Sequence, residues 1–239
     1  MFKLFALALA LVAGVAHADS ELHTDLPLAY LEQSQSDARN EPLVIFLHGF
    51  GSNEEDLFGI KDALPSTWTY LSVRAPMPVQ PSGFRWFTKT PGDGDYDGVT
   101  ADLRSSARLI KDFVAKATAK YHTQSDRVFL VGFSQGAIMS YEVALRDPAL
   151  VRGIAALSGS LLPVLKAELK PDQRLGKLAI FIGHGTLDQA LPYVSATRAN
   201  EVLVGLGLQP EFHGYPGMNH TVSEAELRDL KAWLQKSLR

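Results

Sequence analysis

The sequence predicts an α/β fold: a doubly wound, mostly parallel sheet with helices packed on both of its faces. Three observations predict it. Short apolar runs recur along the chain, and several are unbroken (LVIFL, VFLVG, LAIFI), as parallel strands buried on both faces require. Between them lie segments whose apolar residues repeat at three- and four-residue steps, the mark of an amphipathic helix. The links are short, and strands alternating with helices over short links build βαβ units. No internal repeat or low-complexity block is visible, and no large lid domain interrupts the pattern.

Taken in order, residues 1–18 read differently from all that follows. MFKLFALALALVAGVAHA carries one cation, Lys3, then an apolar run to about Val15 and the small-x-small end Ala16-His17-Ala18. That is the pattern of a secretory signal peptide cut after Ala18, and the run is too short to span a bilayer as a helix. Residues 19–239 are then expected to form one exported, periplasmic or secreted domain. Strands are expected at 28–32, 43–47, 70–74, 128–132, 153–157, 178–182 and 211–215. A helix is expected where Leu103, Ala107, Ile110, Val114, Ala117 and Tyr121 form one stripe. Others are expected at 135–146, 193–206 and 223–238, the last opened by Ser223 and Glu226 as a capping box. Residues 76–98, rich in Pro, Gly and aromatics, have no period. A loop of that length in a compact domain usually serves function, so it is read as an excursion lining a pocket.

Composition narrows the function. A net charge of −3 with scattered Lys and Arg gives no basic patch for nucleic acid. The chain has no cysteine, which removes a disulfide framework, thiolate metal sites, a Cys nucleophile and lipoprotein anchoring. DGDYDG at 93–98 matches the first half of a calcium loop, but its twelfth position is Arg104 instead of the bidentate Glu. An acidic turn entering a helix is the better reading, and no metal or cofactor is expected.

Gly132-Phe133-Ser134-Gln135-Gly136 fits G-x-S-x-G between an expected strand and an expected helix, the context of a nucleophile elbow. A hydroxyl is a weak nucleophile and needs a base, which needs an orienting carboxylate. On such a sheet the chain order is Ser, acid, His, and catalytic groups sit beyond strand C-termini. Of the seven histidines, His220 follows the strand 211–215 in the loop GMNH, whereas the alternative, His213, lies inside it. Asp188 lies just past the strand 178–182. Asp147 and Asp172 lie away from strand ends. Ser134, Asp188 and His220 are therefore the expected catalytic residues. The oxyanion needs donors, expected from the backbone N–H of Gln135 and of Phe50 in the loop HGFG, with His48 hydrogen-bonded beneath it. Phe50, Trp86, Phe87 and Leu191 are the expected pocket residues.

The blocks VIFLHGFGSNEEDL, RAPMPVQPSGFRWF, VFLVGFSQGAIMS, FIGHGTLDQALP and YPGMNHTV together resemble the phospholipase/carboxylesterase family, close to acyl-protein thioesterases, within the α/β-hydrolase superfamily. The resemblance covers nearly the whole of residues 19–239. It implies an α/β-hydrolase fold and a cofactor-free serine carboxylesterase, monomer or homodimer, acting on small-molecule or lipid esters without a stable membrane anchor. It puts the nucleophile at Ser134, the acid at Asp188, the base at His220, the oxyanion donors at Phe50 and Gln135, and Trp86-Phe87 near the acyl pocket. Asn219 stands where the family more often has Gly or Ala, and the leader separates this chain from cytosolic S-acylated proteins. The expectation is hydrolysis of short-to-medium acyl esters through an acyl-enzyme. Polyester or feruloyl-type esters, lysophospholipids and thioesters are alternatives, and an inactive hydrolase-fold binding protein is the non-enzyme one.

Overall fold

The computed structural model describes residues 21–35, 39–90 and 97–239. The leader, and with it the expected cleavage site, lies outside the described residues, as does most of the DGDYDG segment. Among the described residues the strands run β1 (Tyr30–Gln33), β2 (Leu43–Leu47), β3 (Thr69–Val73), β4 (Met77–Pro78), β5 (Phe84–Arg85), β6 (Val128–Phe133), β7 (Gly153–Leu157), β8 (Ala179–Gly185) and β9 (Glu211–Tyr215). The helices are α1 (Thr100–Lys120), α2 (Gln135–Ala144), α3 (Pro163–Glu168), α4 (Val194–Gly205) and α5 (Glu224–Ser237).

Seven strands form one sheet in the order β1-β3-β2-β6-β7-β8-β9. Neighbours pair in parallel from β3 through to β9, and only the edge strand β1 runs antiparallel, against β3. The unbroken apolar runs are explained by burial of both faces. In β2, Leu43, Ile45 and Leu47 enter a core shared with α1, α2, α3 and α4. Val44 and Phe46 enter the opposite one, with Leu230, Trp233 and Leu234 of α5 and the 3₁₀ turn Phe58–Ala63. That turn and α3 were not expected from the sequence.

Because the central strands are parallel, their C-terminal ends share one edge of the sheet. The segments after β2, β6, β8 and β9 emerge there, carrying Phe50, Ser134, Asp188 and His220. The described residues of the long excursion are organised by pairing. β4 and β5 form an antiparallel hairpin, and Phe84 exchanges backbone hydrogen bonds with the loop after β2, accepting from Gly51 at 2.8 Å and donating to Ser52 at 2.7 Å. Arg104, at the twelfth position of the calcium-like pattern, is held by the Glu168 carboxylate at 2.5 and 2.7 Å.

Candidate active site

Ser134 sits between β6 and α2 with φ 54° and ψ −116°, a region costly for a residue with a Cβ. The turn is tight enough to exclude side chains on either side of it. A Cβ on Gly132 would stand 2.3 Å from the Gly136 backbone, and one on Gly136 would meet the Leu47 carbonyl oxygen at 1.8 Å. A serine at this place could act as a plain N-cap, but its side chain accepts no capping hydrogen bond. The hydroxyl instead meets His220 Nε2 at 2.9 Å.

The other nitrogen of the imidazole completes a chain. His220 Nδ1 lies 2.7 Å from Asp188 Oδ2. A carboxylate can only accept, so Nδ1 carries the proton and Nε2 is left to accept from the serine. Asp188 is sealed while His220 keeps about a quarter of its side chain exposed (0% against 23%), so the acid is shielded and the base can reach a bound molecule. Asp188 Oδ1 accepts from the backbone N–H of Ala190 and Leu191, each at 2.9 Å, which fixes the rotamer that aims Oδ2 at His220. His184, at the end of β8, supports the same loop. Its Nε2 donates to the Leu191 carbonyl at 2.8 Å and lies 3.2 Å from Asp188 Oδ2. Burial holds His184 below the usual imidazole range, which keeps the ring neutral. Phe133 packs its ring on His220 with centroids 4.8 Å apart. Its position inside G-x-S-x-G was the only sequence signal for it. His213 lies away from the chain, stacked on Phe181.

The loop after β2 closes over the serine. A Cβ on Gly49 would come within 3.4 Å of Ser134 Cβ, so the Gly49–Phe50 backbone runs against the nucleophile position. His48 lies beneath this loop as expected. Its Nδ1–H donates to the Gly49 carbonyl at 2.7 Å and its Nε2 accepts from the Ala75 N–H at 3.1 Å. Burial also holds this imidazole below its usual range. Gln135 opens α2, where a first-turn N–H has no acceptor within the helix.

A cavity of about 360 Å³ opens on these groups, lined by Gly49, Phe50, Lys89, Ser134, Leu191 and His220, with Ser52, Asp56, Phe133 and Ala190 beside them. Phe50 and Leu191 are where they were expected. Among the described residues no group of three or more His, Cys, Asp or Glu could hold a metal ion.

The phospholipase/carboxylesterase family matches residues 29–238. The chain belongs to that family. It is a hydrolase family of the carboxylesterase and thioesterase type. The chain is 30% identical over 215 residues to acyl-protein thioesterase 1 of Mycosarcoma maydis, covering 81% of this chain and 90% of that one. It is 27% identical over 209 residues to lysophospholipase-like protein 1 of Mus musculus, covering 82% and 87% respectively. Among solved structures, esterase PE8 superimposes with a TM-score of 0.74 at 26% identity, over 86% of this chain and 96% of that one. The fold is that of the α/β hydrolases, with no large lid among the described residues.

Two expected pocket residues of this family member do not line the cavity. Trp86 and Phe87 are fully buried in the core formed with α1 and α2. They brace the site from below. Trp86 Nε1 donates to the His48 carbonyl at 2.9 Å. The Gln135 side chain clamps the pair's backbone, accepting from Trp86 N at 3.1 Å and donating to the Phe87 carbonyl at 3.0 Å. Aromatic residues next to a functional loop signalled burial, but the sequence could not say which surface they bury. Among the described residues of the 76–98 excursion, Lys89 alone lines the cavity.

Proposed function

We propose that this protein is an exported serine carboxylesterase that hydrolyses short-to-medium acyl esters through an acyl-enzyme. The observation that carries this reading is the hydrogen-bonded chain from Ser134 through His220 to Asp188, opening on an apolar cavity. Ser134 Oγ attacks the ester carbonyl carbon while His220 Nε2 takes its proton, and the carbonyl electron pair moves onto oxygen. The backbone N–H groups of Phe50 and Gln135 serve as donors to that oxyanion. When the tetrahedral carbon collapses, the C–O bond breaks and Nε2–H protonates the departing alcohol. Water repeats the sequence on the acyl-enzyme, and Asp188 holds the imidazole and stabilises its cation throughout.

The lining of the cavity supports the acyl reading. An open-sided cavity of about 360 Å³ lined by Phe50, Phe133, Ala190 and Leu191 offers an acyl chain an apolar seat. The signal-like stretch ahead of the family match supports export. Lysophospholipid and thioester hydrolysis is the second reading, favoured by the names of the relatives and open to the same chemistry.

A fluorophosphonate probe should label the wild-type protein at Ser134, located by peptide mass spectrometry. Ser134→Ala should abolish labelling and lower kcat/KM on p-nitrophenyl butyrate by ~10⁴-fold or more. Full esterase activity in that variant would end the proposal. Turnover of matched oxygen and thioesters across C2 to C16 separates the two substrate readings.

A further inference from the structure

A second cavity, of about 450 Å³, adjoins the first and is lined by Asp56, Leu57, Gly59, Ile60, Phe133, His220, Thr221, Val222 and Leu227. The two cavities share Asp56, Phe133 and His220, and Ser134 lines only the first. The imidazole therefore stands between them. Resting on the carboxylesterase reading above, this arrangement decides which part of an ester goes where. His220 Nε2 must hand its proton to the alcohol oxygen, so the alcohol leaves on the imidazole side of the tetrahedral carbon. The acyl group is directed away from it, into the cavity beside Phe50 and Leu191. The cavity beyond His220 is then open to the leaving group.

The chemistry of that second basin is one-sided. Asp56 is the one acidic residue in its lining, and no Lys or Arg lines it among the described residues. The carboxylate of Asp56 is exposed and makes no ion pair or side-chain hydrogen bond among the described residues, its backbone N–H going to Asn53. Arg74 is paired with Glu54 and Lys61 with Asp62, and Lys89 lines the first cavity, which Asp56 also borders, but not the second. Leu57, Ile60, Val222 and Leu227 supply an apolar wall. A carboxylate facing a group across an apolar wall favours a cation carried on a hydrocarbon body and repels an anion.

We infer that the basin beyond His220 is the alcohol subsite, and that Asp56 makes it selective for esters of cationic alcohols over neutral and anionic ones. Asp56 acts as a specificity residue, with no part in the bond-making steps.

The test uses butyrate esters that share one acyl group and differ only in the alcohol. These are the choline ester, its uncharged carbon isostere 3,3-dimethylbutyl butyrate, and the glycolate ester, which carries a carboxylate. Ratios of kcat/KM within one preparation are independent of how much of a variant is folded. In the wild type the choline ester should exceed its isostere by about fivefold and the glycolate ester should fall below it by a similar factor, as two unit charges about 4 Å apart produce when water fully screens them. Asp56→Asn should bring the choline-to-isostere ratio close to one, and Asp56→Lys should invert it. The wild-type preference should also shrink between ~0.01 and ~0.15 M salt, where the screening length falls from about 30 to 8 Å; a steric effect would not respond. If turnover depends on Ser134 but the ratio is the same in wild type and Asp56→Asn, the subsite assignment is wrong and the esterase reading stands. If none of the esters is hydrolysed in a Ser134-dependent way, the esterase reading itself fails and the subsite with it.

Discussion

At the scale of single residues, the chain places chemistry where its geometry is over-determined, and Glu226 shows the opposite case. The Ser223 side chain caps α5 by accepting from the Glu226 N–H at 3.2 Å, and the Ser223 backbone N–H lies close enough to favour the Glu226 carboxylate without closing a well-formed reciprocal hydrogen bond of the expected capping box. The Glu226 side chain turns inward, fully buried, and neither carboxyl oxygen finds a hydrogen-bond partner among the described residues. A Cβ on Gly183 would fall 2.1 Å from Glu226 Oε1, so the carboxyl occupies the gap that glycine leaves on β8. Burial pushes this group from 4.5 up to about 8. Below 4.5 both folded and unfolded states hold the proton. Between 4.5 and 8 only the folded state does, so stability falls as pH rises through that window and the loss is complete above it. Glu226→Gln removes the titration and keeps the shape. At pH 8.5 it should be more stable than wild type by on the order of 4 kcal/mol, with the difference vanishing towards pH 4.5. Urea unfolding at the two pH values measures it, and parallel pH profiles for the two proteins would refute the assignment.

At the scale of elements, legibility followed the environment of each segment. β2, β6, β7 and β8 were readable because strands buried on both faces leave unbroken apolar runs, and α1 and α5 because one face of each is wet. β1 could be found but not oriented, since side-chain alternation along a strand reads the same whichever way the strand runs against its neighbour. The 3₁₀ turn Phe58–Ala63 and α3 are too short for a period to emerge. In the candidate site, Ser134, Asp188 and His220 were legible because parallel strands put their C-termini on one edge and chain order restricted the choice. His184, Phe133 and the Gln135 clamp were not, since they act through contacts between distant segments. The correction at Trp86 gives a test at this scale. Trp86→Phe removes the indole N–H from the His48 carbonyl, leaving a buried acceptor unpaired, a cost of about 1–3 kcal/mol. It also loosens the loop that carries the Phe50 N–H, and kcat should fall by roughly tenfold, since small misplacements at a site are costly in rate. The acyl-length optimum should not move. A shifted optimum across C2 to C12 esters would return Trp86 to the pocket wall.

At the scale of the whole molecule, the parallel sheet and the cysteine-free composition bear on where the protein can work. Every group of the candidate site is held by backbone turns, packing and hydrogen bonds, and the chain contains no cysteine. Folding therefore needs no oxidant, and the redox state of the compartment leaves the site unchanged. Thermal midpoint and esterase turnover should be identical with and without dithiothreitol. The proposed export rests on residues 1–18 alone, where one cation, an apolar run and a small-x-small end ahead of the family match fit the pattern of a translocation signal. Expressed from its full sequence in a Gram-negative host, the protein should be recovered from the periplasm or medium with Asp19 as its first residue. Intact-mass measurement and N-terminal sequencing read this directly. Replacing the apolar run's Leu9 and Leu11 with Arg should hold the chain in the cytoplasm at full length and still active, because residues 29–238 carry the whole hydrolase match. An uncleaved wild-type chain confined to the cytoplasm would overturn export while leaving the chemistry at Ser134 untouched.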